Sequence, residues 1–297
     1  MPDNKESPKK GTPSPPMDRL NQHASGQTTG VASAQFGKKN RRKTDPARKI
    51  GNVKVIDGLA DKHAVGNVAA GFVQRLLHQH RLRRSLRGHQ PVIAFPTGST
   101  PKPMYERLRA MHTLNWRGAH VFHLDEYVPQ RGGEVRPDLT YRYEMNKNLW
   151  NAPQLDRTVK HYMGDYILEP EKYEQQLNNL GGADLVILGI GANGHLAFNE
   201  PGASPESTTR YEDLTAATLK SNFGVDSVAE AKAKGLPTRA ATMGLKPILN
   251  AKKVILLANK GKEEIVRKAL TGPVTPDVPA SFLQNHPDVT VIADFTI

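Results

Sequence analysis

The chain has 297 residues, of which 37% are apolar and 24% charged, and it contains no cysteine. That balance suits one large or two small globular domains and is far from the charge-rich, apolar-poor usage of a wholly disordered chain. The absence of cysteine excludes a disulfide framework, a thiol nucleophile and Cys-ligated zinc or iron–sulfur sites, and no run approaches the roughly 20 apolar residues of a membrane span.

The first residues are polar and lack the apolar core of a secretory signal, so the expected setting is soluble and cytoplasmic, with no membrane partner. The formal charge of +12 is uneven: residues 1–49 hold 11 basic and 4 acidic residues, leaving 30 and 25 for the other 248. The excess peaks in Lys38-Lys39-Asn40-Arg41-Arg42-Lys43. Pro, Ser, Gly, Asn and Lys dominate residues 1–48, with too little apolar surface to offset ordering entropy, so this stretch is expected to be a disordered basic extension. Such a tail suits an anionic partner, nucleic acid or an acidic surface, or is a solvated extension without one. A catalytic domain is expected over residues 49–297.

Order is expected from near Asn52, where Val53-Lys54-Val55-Ile56 alternates as a short strand. Asp61 then caps a helix whose apolar residues Val65, Val68, Phe72, Val73, Leu76 and Leu77 recur at helical spacing. Apolar runs follow at 91–95, 121–124, 184–190, 254–258 and 289–292, with helical stretches around 101–112, 140–150, 169–180, 262–270 and 279–285. Strands without alternation are buried on both faces, which implies an α/β fold: an open, mostly parallel, Rossmann-like sheet with helices on both sides. Ligands of such sheets bind at the carboxyl ends of the strands, so the residues after each run are where chemistry is sought.

Phe95 is followed by Pro96-Thr97-Gly98-Ser99-Thr100-Pro101 and a helix, which is either an anion site at a helix N-terminus or a simple capped turn. Leu124 is followed by Asp125-Glu126-Tyr127; Asp125 is either a base in a partly desolvated setting or a helix cap. The run 189–201 reads Gly-Ile-Gly-Ala-Asn-Gly-His-Leu-Ala-Phe-Asn-Glu-Pro. Its start matches a dinucleotide loop, but Pro201 would break the required helix and no apolar strand precedes Glu212. The favoured reading is a glycine-flanked bend that presents His195, with Asn193 and Glu200 orienting its ring. Ala258 is followed by Asn259-Lys260-Gly261-Lys262 before a helix, where a lysine is either a phosphate contact or a solvated surface group.

Together, in this order, these segments resemble the glucosamine-6-phosphate deaminase/isomerase family over most of residues 53–294. Thr242-Met243-Gly244 and Pro279-Ala280-Ser281-Phe282-Leu283-Gln284-Asn285-His286 add to the likeness, and Gly-His-Leu-Ala-Phe-Asn-Glu-Pro is its most specific mark. The resemblance implies a cofactor-free, metal-free conversion of glucosamine 6-phosphate and water to fructose 6-phosphate and ammonia, in amino-sugar catabolism. It implies that His195 assists ring opening, that Asp125 moves a proton from C2 toward C1, and that Asn193 and Glu200 support the histidine. Gly98, Ser99, Thr100 and Lys262 would hold the phosphate end of the substrate, with Glu126 beside the base. A homo-oligomer is compatible with it.

Three departures stand out. Asn193 occupies a place often held by Asp; Lys220-Ser221-Asn222-Phe223-Gly224 lacks the substrate-contacting Arg, for which Lys220 or Arg239 could substitute; and Glu212 stands where allosteric members carry a basic residue. The rival readings are a deaminase/isomerase for galactosamine 6-phosphate or another amino-sugar phosphate, a 6-phosphogluconolactonase, and a non-catalytic sugar-phosphate sensor. Residues 1–48 offer no helix-turn-helix pattern, and Asp125 with His195 favours turnover over sensing.

Overall fold

A computed structural model describes residues 48–87, 89–129, 135–152, 155, 159–162 and 167–297, with side chains left out at 82–87. The expected disordered extension lies outside the described residues except for Arg48. Order is present earlier than Asn52: β1 (Arg48–Ile50) pairs antiparallel with β2 (Val53–Ile56) across Gly51. Arg48 reaches Asp57 and the carbonyl of Ile297, tying both ends of the described chain together.

After β2, α1 (Lys62–Arg87) starts where Asp61 accepts from the backbone N–H groups of His63 and Ala64, both at 2.8 Å. It is followed by β3 (Val92–Phe95), α2 (Lys102–Ala110), β4 (His120–His123) and, after Leu124, β5 (Asp125–Tyr127). The expected helix over 140–150 is α3 (Tyr141–Met145) running into a π-helical turn at Asn146–Trp150. Next come β6 (Lys160–Tyr162), α4 (Pro170–Asn179), β7 (Leu185–Gly189), β8 (Arg210–Asp213), α5 (Ala216–Phe223) and α6 (Val228–Ala233). The chain ends with β9 (Arg239–Thr242), α7 (Leu245–Leu249), β10 (Val254–Ala258), α8 (Glu263–Thr271), a 3₁₀ stretch at Pro279–Asn285 and β11 (Val289–Ala293).

Eight strands form one sheet in the order β1-β2-β11-β10-β7-β3-β4-β6, parallel except for β1. Alternate residues of each central strand face opposite cores. Ile93, Phe95, Leu185, Ile187, Ile255 and Leu257 pack with Val65, Val73, Met104 and Leu108 of α1 and α2. Val92, Ala94, Val186, Leu188, Val254 and Leu256 pack with Tyr173 and Leu177 of α4 and Val266 of α8. Both faces are covered, which is why these strands read as unbroken apolar runs. Gly66 lets α1 approach α2 closely, since a Cβ there would lie 2.5 Å from the Pro103 carbonyl carbon.

The strand order has a functional consequence. From β3 the chain winds one way, to β4 and β6; from its neighbour β7 it winds the other way, to β10 and β11. The loops after β3 and β7 therefore diverge and open a crevice at the strands' carboxyl ends.

A second, antiparallel sheet of β5, β9 and β8 stands beside that crevice. The segment read as not an apolar strand contributes a polar one to it: Arg210–Asp213 pairs along β9 with burial that alternates from residue to residue. Its edge position needs no apolar run. No helix among the described residues is long and apolar enough to cross a membrane.

Candidate active site

The crevice is a cleft of about 600 Å³ whose lining includes Gly98, Ser99, Thr100, Asp125, Asn193, His195 and Lys262. Seven of the nine residues singled out from the sequence thus converge on one space. A second groove, of about 510 Å³ beside α1, has Arg75, His78 and Arg81 in its lining but no carboxylate.

Asp125 opens β5 at the end of the β4 segment and caps no helix; its side chain accepts from the Thr97 hydroxyl at 3.2 Å. It is 6% exposed. Burial pushes its pKa up to about 7; the Thr97 hydrogen bond pulls it down, and the charges of Glu126 and Glu144 push it up. A carboxylate poised near neutrality in a cleft is suited to taking and returning a proton.

His195 sits on the bend after β7. The bend is fastened from below: Asn199 Nδ2 donates to the carbonyls of Leu196 and Met243 at 2.8 Å, and the Thr242 hydroxyl accepts from Phe198 N–H at 3.1 Å. Ala197 has φ +52°, an uncommon conformation for a residue with a Cβ, so the bend holds some backbone strain beside the cleft. Gly191 packs under the imidazole, where any side chain would collide with the ring. His195 Nδ1 donates to Asn193 Oδ1 at 2.8 Å, and Asn193 Nδ2 donates to Glu200 Oε2 at 2.8 Å. This polarity puts the ring proton on Nδ1 and leaves Nε2 with its lone pair. Burial works to raise the Glu200 pKa, but His195, Thr218 and Asn193 outweigh it and hold the carboxyl near about 2.

The loop after β3 supplies Gly98, Ser99 and Thr100 just before the N-terminus of α2, with Pro101 as the cap residue and Gly98 at φ +90°. Lys262, at the cap of α8, is the one lysine or arginine of the cleft lining among the described residues, and burial lowers its pKa. Backbone amides, a helix dipole and one cation together can bind a phosphate.

These elements match known proteins. The profile of the "glucosamine-6-phosphate isomerases/6-phosphogluconolactonase" family fits residues 66–292. The chain belongs to this family. A glucosamine-6-phosphate deaminase of Lachnoclostridium phytofermentans is 43% identical over 213 residues, 69% of this chain and 87% of the relative. One from Clostridium botulinum strain Kyoto is 40% identical over 211 residues, covering 68% and 84%. Among solved structures, a monomeric glucosamine-6-phosphate deaminase superposes with TM-score 0.68 at 31% identity, covering 81% of this chain and 96% of that one. The 6-phosphogluconolactonase of Plasmodium vivax shares the fold, with TM-score 0.63 at 16% identity over 84% and 92%.

Within this family member, not every residue singled out from the sequence faces the cleft. Glu126 does not line the cleft. Its carboxylate accepts from the backbone N–H groups of Tyr127, Tyr141 and Arg142 at 2.8–2.9 Å, with burial still raising its pKa. It is a clasp that holds α3 and the preceding 3₁₀ turn, whose Asp138, Leu139, Tyr141 and Glu144 form one wall. Glu200 is likewise outside the lining, behind His195, as a supporting role requires. Neither Lys220 nor Arg239 reaches the cleft: Lys220 is exposed and pairs with Asp226 at 2.7 Å, and Arg239 pairs with Asp213 at 2.9 Å over the Tyr211 ring. Ser221 and Asn222 occupy that wall instead, Asn222 donating to the Tyr127 hydroxyl at 3.0 Å. Thr97, Tyr141 and Thr218 were not singled out as site residues. Thr97 adjoins Gly98 in a marked motif, but α5, which carries Thr218, gave no apolar pattern to find it by.

One cluster among the described residues has metal-ligand chemistry: His80, His89 and Asp184. It lies at the amino ends of β3 and β7, away from the cleft. Asp184 there already accepts from Lys252 Nζ at 2.6 Å, Val92 N–H at 2.8 Å and His89 at 3.0 Å, so the cluster is a satisfied ion-pair network.

Proposed function

We propose that this chain converts glucosamine 6-phosphate and water to fructose 6-phosphate and ammonia, as a cytoplasmic enzyme of amino-sugar breakdown. The observation that carries the reading is the meeting of Asp125 and His195 on one cleft, with Asp125 titrating near about 7.

His195 Nε2 accepts the proton of the C1 hydroxyl and returns it to the ring oxygen as the C1–O5 bond breaks, which yields the open aldehyde. Asp125, ionised, then takes the C2 proton; the electron pair forms the C1–C2 double bond of an enolamine while the carbonyl oxygen takes a proton from the substrate's ammonium group on C2. Return of the Asp125 proton to C1 leaves an imine at C2. Water adds to that carbon and ammonia departs, giving the ketose. General acid–base help of this kind is worth about 100- to 10,000-fold. Gly98, Ser99, Thr100 and Lys262 anchor the phosphate, so that the reacting carbons are held rather than found by collision. Asn193 and Glu200 fix the tautomer that the first step needs.

The identity to the deaminases, near 40%, supports this substrate over a lactone, for which the likeness is one of fold. The test incubates purified protein with glucosamine 6-phosphate and follows ammonia and fructose 6-phosphate together, with galactosamine 6-phosphate and 6-phosphogluconolactone in parallel. Equimolar ammonia and fructose 6-phosphate are expected. Lactone hydrolysis without ammonia release would replace the reading.

A further inference from the structure

Glu200 has both carboxylate oxygens engaged. Oε2 accepts from Asn193 Nδ2 at 2.8 Å and lies 3.6 Å from His195 Nδ1, while Oε1 accepts from the Thr218 hydroxyl. Thr218 is 4% exposed and itself anchored: the Thr215 hydroxyl donates to its oxygen at 3.1 Å, and its backbone N–H donates to Thr215 Oγ1 at 3.1 Å. Thr215 is the N-cap of α5, and Thr218 lines the cleft together with Ser221 and Asn222, one turn further along that helix.

The directions of these bonds form one chain. An ionised carboxylate only accepts, so the Thr218 hydroxyl must donate to it and can accept only from elsewhere, here from Thr215. Likewise Asn193 must present its NH₂ to Glu200, which turns Oδ1 toward the imidazole. There Oδ1 accepts from His195 Nδ1 and, at 3.2 Å, from the His195 backbone N–H. If Oε1 loses its donor, one oxygen of the buried carboxylate is left unpartnered and the group is free to rotate. A carboxylate that has turned no longer holds the Asn193 NH₂, and the amide can then flip and offer that NH₂ to the ring. His195 would carry its proton on Nε2, where it cannot accept one from a sugar hydroxyl.

We infer that Thr218 is a positioning residue: by holding Oε1 of Glu200 it fixes the Asn193 amide and keeps the His195 proton on Nδ1. The inference rests on the reading of His195 as the acid–base group. It makes the cap of α5 the origin of the hydrogen-bond chain, so the helix that supplies a substrate wall also sets the histidine.

The experiment compares Thr218→Ser, Thr218→Ala and Thr218→Val in the full chain, with His195→Gln as reference. It measures kcat and KM for glucosamine 6-phosphate across pH, thermal unfolding, and the histidine tautomer by nitrogen-15 NMR. For Ala and Val, kcat is expected to fall about tenfold, a loss of about 1.4 kcal/mol. KM should change little, the acid limb of kcat, set by Asp125, should stay in place, and the Nδ1–H signature of His195 should be lost. Ser retains the hydroxyl and should behave as the parent. Unchanged kcat and tautomer in Ala would overturn the inference, as would a Ser variant as impaired as Ala, since the methyl group would then be what matters. If Val does not fold, the Ala–Ser comparison decides alone. Full turnover in His195→Gln would bring down the reading of the site and the inference with it, whereas loss there with Thr218 variants intact defeats the inference only.

Discussion

Asp125 is held where it titrates chiefly by burial, which a threonine hydroxyl offsets only in part. Catalysis needs the ionised form, so kcat/KM should rise with pH through about 7. Thr97→Val removes the donor that favours the anion, and the acid limb of its profile should move to higher pH. The same group weakens the fold. A carboxyl whose pKa goes from 3.8 unfolded to about 7 folded binds more protons in the native state, so stability falls as pH rises from about 4 to 7. Asp125→Asn should therefore abolish turnover yet raise Tm at pH 8, by up to roughly 4 kcal/mol of stability. The gain should vanish near pH 4. Glu200 has the opposite sign: held near about 2, it contributes stability above its ordinary range that is lost as pH falls toward 2.

At the scale of elements, the cleft walls are mounted on short helices by single side chains. Glu126 binds the first amides of α3, and a buried amide left without an acceptor costs about 1–3 kcal/mol. In Glu126→Gln one carboxylate acceptor becomes a donor, so the Tyr141 and Arg142 amides should exchange with solvent faster than in the parent. Hydrogen exchange read by mass spectrometry checks this, with peptides from β10 as the unchanged control. On the opposite wall, Lys262 supplies the cation at the start of α8. Lys262→Ala should raise KM about tenfold to a hundredfold, the range for losing a charged hydrogen bond of about 1.5–3 kcal/mol, while kcat changes less. An equal fall in kcat and unchanged KM would place the lysine at the reacting carbons instead.

Across the whole molecule, a sheet buried on both faces separates stability from chemistry. Ile255 is the second residue of β10, fully buried against the face covered by α1 and α2, and away from the cleft lining. Ile255→Ala should cost about 2–5 kcal/mol, seen as a lower denaturation midpoint, with KM unchanged well below Tm. The switch between β3 and β7 explains why residues some hundred positions apart meet. The loops that follow two adjacent parallel strands open on the same edge, whatever their separation in sequence.

The sequence by itself determined the central strands, because burial on two faces leaves an apolar run that nothing else in the chain imitates. It also determined the loops after them, since Gly98, Gly191 and His195 stand at turns where a strand must stop. Short strands with polar neighbours, such as Asp125–Tyr127 and Arg210–Asp213, were not legible, because an antiparallel edge constrains backbone pairing more than composition. Local pattern alone did not separate the roles of Asp125 and Glu126; the family resemblance did. Adjacent residues of a strand point to opposite sides, and only the packing of β5 against α3 turns one acid into the cleft and the other onto backbone amides. Lys220 failed as a substitute cation for a related reason: which way a helix faces is decided by what it packs against. The chemical types at the site were thus written in local sequence, while their orientation and partners came from contacts between distant segments, which no local pattern encodes.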